Sequence, residues 1–290
     1  MLIRLAPLLF VLLWSTGWLI VGASVPHADP LTFLSLRFAL AAALIAAFCV
    51  AVGARFPSRP AGWAHGVAAG VLMQGLYLCG VWWAIAEGVP AGISGLIAAV
   101  QPLLTAMLGG RFGGAALRPS QWLGVALGLA GVLAVIAPKV ALPGEGRDLL
   151  WPILANVGGM VAATAGAFYQ KVFCVEEDPR SGVALQAIGG FLPALVLAAL
   201  TEPMVIVWRF ETIASLIWAV FALSFAASAL FFLMIRAGAV AEVSSLLFLM
   251  QPLVALQAWA LLGERFTLAQ GAGFALTVLG VYLAMRRAPA

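Results

Sequence analysis

The sequence predicts an all-α integral membrane protein of ten transmembrane helices in two inverted five-helix repeats, and three observations predict it. The 290 residues are 64% hydrophobic and 9% charged, far from the roughly 45–50% apolar and 25% charged usual for soluble domains. Apolar runs of about 20 residues recur along the chain, the length needed for a helix to cross about 30 Å of hydrocarbon. Third, Ser94 to Leu103, SGLIAAVQPL, is echoed by Ser244 to Leu253, SSLLFLMQPL, at an offset of 150 residues. Each copy buries a Gln-Pro pair in a run where neither residue is comfortable.

Charges and Pro/Gly clusters divide the chain into ten runs: 5–23, 31–52, 64–86, 91–110, 121–137, 149–171, 183–200, 213–235, 240–262 and 267–285. All read as helices, because none shows the alternation of a transmembrane β-strand. The first run, with Arg4 ahead of it, has the flanks of a secretory signal. At 19 residues it exceeds the usual signal core of about 7–15, and a mid-chain counterpart argues that it is a span.

The register of the repeat holds beyond the Gln-Pro segments. Asp29-Pro30 matches Asp178-Pro179, Ser15-Thr16-Gly17 falls opposite Thr164-Ala165-Gly166, and Trp82-Trp83 falls opposite Phe231-Phe232, each at an offset of 149. Residues 1–140 and 141–290 are therefore expected to be two copies of one unit. Five spans is an odd number, so the second copy must lie upside down in the membrane relative to the first. Inverted repeats of this kind build many secondary transporters, whose halves exchange an outward opening for an inward one about a midplane site.

Lys and Arg set the orientation. With the N-terminus in the cytoplasm, ten fall on the inner side and four, Lys139, Arg147, Arg209 and Arg265, on the outer. Both termini are expected to be cytoplasmic. The net charge of +4 comes from Arg residues scattered singly between spans, which read as topology signals and not as a nucleic-acid surface. Cys49, Cys79 and Cys174 have no metal-ligand spacing and read as small apolar side chains.

Several residues are candidates for function. Pro102 and Pro252 each free a helical carbonyl, those of Ala98 and Phe248, so a kink facing protein or a water-lined cavity is expected there. Gln101 and Gln251 can line that cavity or act as structural glue between helices. Arg37 lies seven residues into the second span, where a cation is costly enough to face the bundle interior. It reads either as a partner for a substrate carboxylate or as a structural Arg bonded to helix-end carbonyls or reaching one interface. Trp14 and Trp18 share a face of the first span, and Gln74 and Tyr77 a face of the third. Rings beside Gln and Ser suit an amphipathic or aromatic solute, with lipid-facing packing as the other reading. Acidic residues fall at span ends, leaving Glu242 as a marginal intramembrane candidate, and His27 and His65 also lie at span ends. No midplane proton relay is visible, so uncoupled transport is as well supported as proton antiport. Gly124, Gly128 and Gly131 in the fifth span, and Gly271, Gly273 and Gly280 in the tenth, suit close pairing within a monomer or between protomers.

Ten spans in two copies, Asp29-Pro30 before Arg37, the paired Ser…Gln-Pro-Leu segments and Gly263-Glu264-Arg265-Phe266 before the last span together resemble the drug/metabolite transporter superfamily, EamA type. Within it the sequence is similar to the bacterial aromatic amino acid exporters. The resemblance implies export of amino acids and related metabolites across the inner membrane, by a protein without cofactor, through a cavity lined by the first, third, fourth, sixth, eighth and ninth spans. By position it points to Trp14, Trp18, Gln74, Tyr77, Gln101, Ser244 and Gln251 as substrate-binding residues. The chain departs from a symmetric pattern twice. Gly109-Gly110-Arg111-Phe112 stands where the second copy has Gly-Glu-Arg-Phe, and Ala163 and Ala167 stand opposite Trp14 and Trp18, so substrate is expected nearer one half. A membrane enzyme finds no support: there is no HExxH, no pair of midplane Asp residues and no phosphate loop. The expected partners are a small-molecule substrate and the lipid bilayer, with no nucleic acid; a monomer is one expectation for the oligomeric state.

Overall fold

The computed structural model of the chain describes residues 2–112, 117–141, 148–174, 178–228, 230, 234 and 250–285. Every element within them is helical: α1 (Leu2–Ser24), α2 (Pro30–Ala51), α3 (Pro60–Gly70), a π-helical segment (Val71–Leu76), α4 (Tyr77–Ala86), α5 (Ala91–Ile97), α6 (Val100–Gly109), α7 (Pro119–Ala141), α8 (Leu150–Phe173), α9 (Pro179–Thr201), α10 (Phe210–Trp218), a second π-helical segment (Ala219–Ala226), α11 (Met250–Leu262) and α12 (Leu268–Met285). Among the described residues, seven helical stretches are long and apolar enough to cross a membrane, and three shorter apolar helices, Leu8–Ser24, Phe210–Ala226 and Met250–Leu262, accompany them. Large apolar side chains such as Leu133, Leu200 and Phe210 are more than half exposed on the outside of the bundle, as expected of a surface solvated by lipid.

Helix starts follow from local chemistry. Proline opens α2, α3, α7 and α9, where its missing N–H is one that a helix leaves unpaired anyway. Two helix starts, those of α2 and α5, are capped by carboxylates distant in sequence. Glu202, just past α9, accepts hydrogen bonds from Leu31 N at 2.8 Å, Thr32 N at 2.8 Å and Thr32 Oγ1 at 2.7 Å at the start of α2. Glu264, just past α11, accepts from Ala91 N at 2.6 Å and Gly92 N at 3.0 Å at the start of α5. An ionised carboxylate satisfies orphan donors there and complements the positive end of the helix.

The Asp-Pro pairs tie the same helices together at both ends. Asp29 accepts from Val205 N at 2.8 Å, beside an isolated antiparallel bridge between Ala28 and Ile206. Asp178 accepts from Arg55 N at 3.2 Å, and Ser181 Oγ donates to Arg55 O at 2.8 Å. Between these ends α2 and α9 pack along their length.

The fourth predicted span breaks in the middle. α5 stops at Ile97 and α6 begins at Val100, because Pro102 cannot donate to Ala98 O. That carbonyl is taken by the backbone N–H of Gln101 at 3.2 Å, and Ala99 N donates to Leu96 O at 2.9 Å. A tight turn, and not the Gln101 side chain, meets the freed carbonyl. The matching carbonyl of Phe248 lies outside the described residues.

α7 and α12 pair within the chain. A Cβ added at Gly280 would fall 2.2 Å from Gly128 N, and one at Gly124 would fall 2.4 Å from Ala284 N. The two backbones touch, so these glycines serve an intramolecular crossing, which decides between the two pairings their spacing left open. The remaining long helices close the bundle: α4 on α8, α3 and the first π segment on α9, α6 on α8, and α11 on both α1 and α5, while the second π segment leans on α1 and α2.

Candidate functional site

Two π-helical segments mark the interior. Val71–Leu76 and Ala219–Ala226 lie 149 residues apart at Val71 and Val220, so the same distortion occurs at corresponding places in the two halves. The first is wedged by its neighbours: a Cβ at Gly75 would fall 2.2 Å from Pro193 Cγ, a proline inside α9. In the second, Ser224 Oγ donates to Ala219 O five residues back at 3.0 Å. Single-turn π segments inside α-helices are frequent at functional sites, because they rotate the residues that follow out of α-helical register.

Gln74 of the first and Leu223 and Ser224 of the second line a cavity whose empty volume is about 740 Å³ including space open to solvent. Its walls come from α1, α2, the α3–π–α4 span, α9 and the second π segment with its continuation. Trp14, Trp18, Arg37, Gln74 and Tyr77 all line it. Five residues chosen from the sequence on three different spans thus converge on one space. Among the described residues, both halves of the chain contribute to the lining, the second through Val183, Ala187, Leu223, Ser224 and Ser228.

Burial differs among these side chains. Trp18, Arg37 and Tyr77 are buried, Trp14 and Gln74 half-buried. Trp14 leans on Phe10, with ring centroids 5.2 Å apart, and the Arg37 guanidinium carbon stands 5.6 Å from the Phe38 ring centroid. Trp82, which closes one wall, is stacked on Phe33 at 5.4 Å. Trp18 Nε1 and Arg37 Nε are buried without a hydrogen-bond partner.

Other residues singled out from the sequence lie elsewhere. Gln101, Pro102, Gln251 and Pro252 do not line the cavity. Gln251 is buried, Gln101 and Pro102 are half-buried, and Pro252 is exposed. Ser244 and Glu242 lie outside the described residues. The resemblance implied walls from the fourth, sixth and ninth spans; among the described residues α2 and α9 supply Arg37, Phe38, Ile45, Val183 and Ala187, and residues 240–249 of the ninth span lie outside the described residues. The kink at Pro102 turns α5 and α6 toward α8 and α11, where Asn156 Nδ2 donates to Ser94 Oγ at 2.7 Å. Sequence reasoning missed Phe38, Leu223, Ser224 and Ser228 as lining residues. The offset of 149 from the Gln74 region was the one signal that pointed to residues 223 and 224.

At one end of the bundle a second polar feature ties the third and sixth spans. His65 Nδ1 and Tyr169 Oη are 2.7 Å apart, and the His65 ring stacks on Phe173 at 4.9 Å. Nearby, Lys171 Nζ donates to Phe112 O at 2.9 Å. No group of three or more metal-ligating side chains occurs among the described residues.

A polytopic helical bundle with a polar and aromatic cavity in its interior defines a membrane protein built around a small-molecule site. The EamA-like transporter family model matches the chain twice, over residues 2–137 and 149–286, and the chain belongs to that family. It is accordingly a small-molecule transporter of the drug/metabolite superfamily and not an enzyme. A probable amino-acid metabolite efflux pump of Salmonella typhimurium is 27% identical over 95% of this chain and 92% of its own length. A chloroplastic WAT1-related protein of Arabidopsis thaliana is 24% identical over 93% of this chain and 66% of its own. One crystal structure shares the fold, with a TM-score of 0.67 and 21% identity over 98% of this chain and 96% of the other.

Proposed function

We propose that this chain is a secondary transporter that exports small organic metabolites across the bacterial inner membrane by alternating access, with aromatic and other neutral amino acids among its substrates. The observation that carries the reading is the convergence of Trp14, Trp18, Arg37, Gln74 and Tyr77 on one interior cavity that residues of the second half close from the other side. Indole and phenol rings beside an amide offer stacking and hydrogen bonds to a solute with an apolar body.

The inverted-repeat arrangement is part of the proposal, and the packing supports it. Shifting residue numbers by about 150 exchanges α2 with α9 and α7 with α12, and each of these pairs is in contact. The same shift turns the packing of the first π segment on α8 into that of the second π segment on α1, and that of α6 on α8 into that of α11 on α1. With five spans per copy the copies lie antiparallel in the membrane. Halves related in this way can trade an outer opening for an inner one without changing their internal packing. The Lys and Arg bias supports cytoplasmic termini, and an all-helical form with an efflux pump among its bacterial relatives supports the inner membrane.

The second reading, export of other drugs or metabolites, is favoured by the mixed names of the relatives. Proteoliposomes preloaded with labelled phenylalanine, threonine or a cationic dye separate the two, followed with and without a pH gradient. Saturable amino-acid efflux supports the first reading, dye efflux alone the second. Absence of protein-dependent flux for every solute would refute transport by this cavity.

A further inference from the structure

The polar inventory of the cavity is one-sided. Arg37 is 7% exposed and carries five N–H donors. Its Nε is sealed without a partner, and the one salt bridge among the described residues is the remote Asp178–Arg180 pair. Phe38 offers it only a ring face. Trp18, 4% exposed, adds a second sealed and unpaired donor at Nε1. A buried cation without a partner is among the costliest arrangements a fold can hold, above all at membrane depth. Such a group persists where a ligand completes it.

The same walls lack, among the described residues, the groups that a positively charged solute would need. Among the described residues the lining contains no Asp or Glu. Its two serines already donate within their own helix, Ser224 to Ala219 O at 3.0 Å and Ser228 to Ser224 O at 2.7 Å. An ammonium placed here meets the like charge of Arg37 with no counter-ion among the described residues, whereas a carboxylate meets a guanidinium that no described carboxylate pairs and whose Nε has no hydrogen-bond partner, in low-dielectric surroundings where opposite charges attract most strongly. A zwitterion gains one of these and suffers the other.

We infer that the cavity selects an organic carboxylate anion with an apolar or aromatic body, its oxyanion held at Arg37, over the matching zwitterion and the matching amine. The inference rests on the transport reading of the same cavity and narrows it: the preferred cargo is a monoanionic acid, with free amino acids carried less well.

Three probes share one ring and chain: 3-phenylpropionate, phenylalanine and phenethylamine. Their binding to the purified full-length protein in detergent micelles is measured by quenching of intrinsic Trp fluorescence and by equilibrium dialysis. The expected order is 3-phenylpropionate, then phenylalanine, then phenethylamine, with at least about tenfold between the first and last. Arg37→Gln is expected to weaken 3-phenylpropionate by about tenfold or more and to leave phenethylamine no weaker. It is also expected to raise the unfolding temperature or leave it unchanged, since it removes an unpaired charge. Arg37→Lys keeps the charge and is expected to recover part of the binding. Phenylalanine binding as tightly as 3-phenylpropionate, or no binding of any probe, would overturn the inference. So would an Arg37→Gln protein that is destabilised or fails to fold, since Arg37 would then be a structural residue. The transport reading fails by a different result, absence of flux in proteoliposomes; tight phenylalanine binding with robust efflux would sink this inference and leave that reading standing.

Discussion

The crossing of α3 and α9 sets where Gln74 and Tyr77 stand, and one added methyl group tests it. A Cβ at Gly189 would fall 2.2 Å from Val67 O and 2.7 Å from Val71 N, and a Cβ at Gly70 would fall 2.4 Å from Gln186 O. Carbon and oxygen approach comfortably to about 3.3–3.6 Å, so Gly189→Ala must drive the helices about 1 Å apart. The obstacle is backbone, which cannot rotate aside as a side chain can. Overpacking of this kind costs about 1–3 kcal/mol, set against a gain of up to about 1 kcal/mol in helix propensity. The net expectation is a loss of about 1–2 kcal/mol. Weakened solute binding is expected with it, because Val71 opens the π segment that carries Gln74. Gly158 is the internal control: it is an exposed glycine in α8 whose added Cβ meets nothing within 4 Å. Gly158→Ala should gain up to about 1 kcal/mol. Thermal unfolding of both variants in the same detergent should therefore shift in opposite directions. Equal shifts, or a stabilised Gly189→Ala, would refute the claim that these helices meet backbone to backbone.

Two further predictions concern the ties between the halves. Glu202→Ala removes three hydrogen bonds to the start of α2 and should cost about 2–4 kcal/mol in unfolding measurements, with Glu202→Gln intermediate because its amide keeps a single acceptor oxygen; an unchanged Glu202→Ala would show that α2 does not depend on this carboxylate. Asp178 is held well below the usual carboxylate range, chiefly by its side-chain bonds to Arg180. A depressed folded value means that its stabilisation is fully present above the unfolded value near 4 and is lost as pH falls below it. The difference in unfolding temperature between wild type and Asp178→Asn should accordingly be constant from about pH 7 to 5 and shrink below about pH 4. A gap that widens on acidification would reverse the assignment.

Much of this architecture was legible because apolar run length and repeat offset are coarse signals that local detail does not blur. Asp29 and Asp178, matched by number alone, make corresponding backbone ties at opposite ends of the α2–α9 pair. Trp14, Trp18, Gln74 and Tyr77 could be singled out because helical spacing places them on shared faces, and all four line one cavity. The π segments were invisible, since VLMQGL and AVFALSFA are unremarkable helical sequences and the distortion comes from what packs against them, Gly75 on Pro193 for the first. Gln101 misled for the opposite reason. Its polarity suggested a wall of the cavity, but a backbone turn already satisfied the carbonyl freed by Pro102, and the break aimed the helix elsewhere. Glu202 and Glu264 read as loop charges, because their partners lie more than 170 residues away and no local pattern connects them.

The central claim is that the cavity is a solute path opening in turn to the two sides of the membrane, and access to Gln74 tests it most directly. With Cys49, Cys79 and Cys174 replaced by alanine, a single cysteine at position 74 is exposed to a membrane-impermeant thiol reagent in right-side-out and in inside-out vesicles. The account predicts labelling from both sides, slowed by a bound solute, while a cysteine at Leu133 on the exposed face of α7 stays unreactive. Labelling from one side only, or labelling that no solute slows, would contradict it.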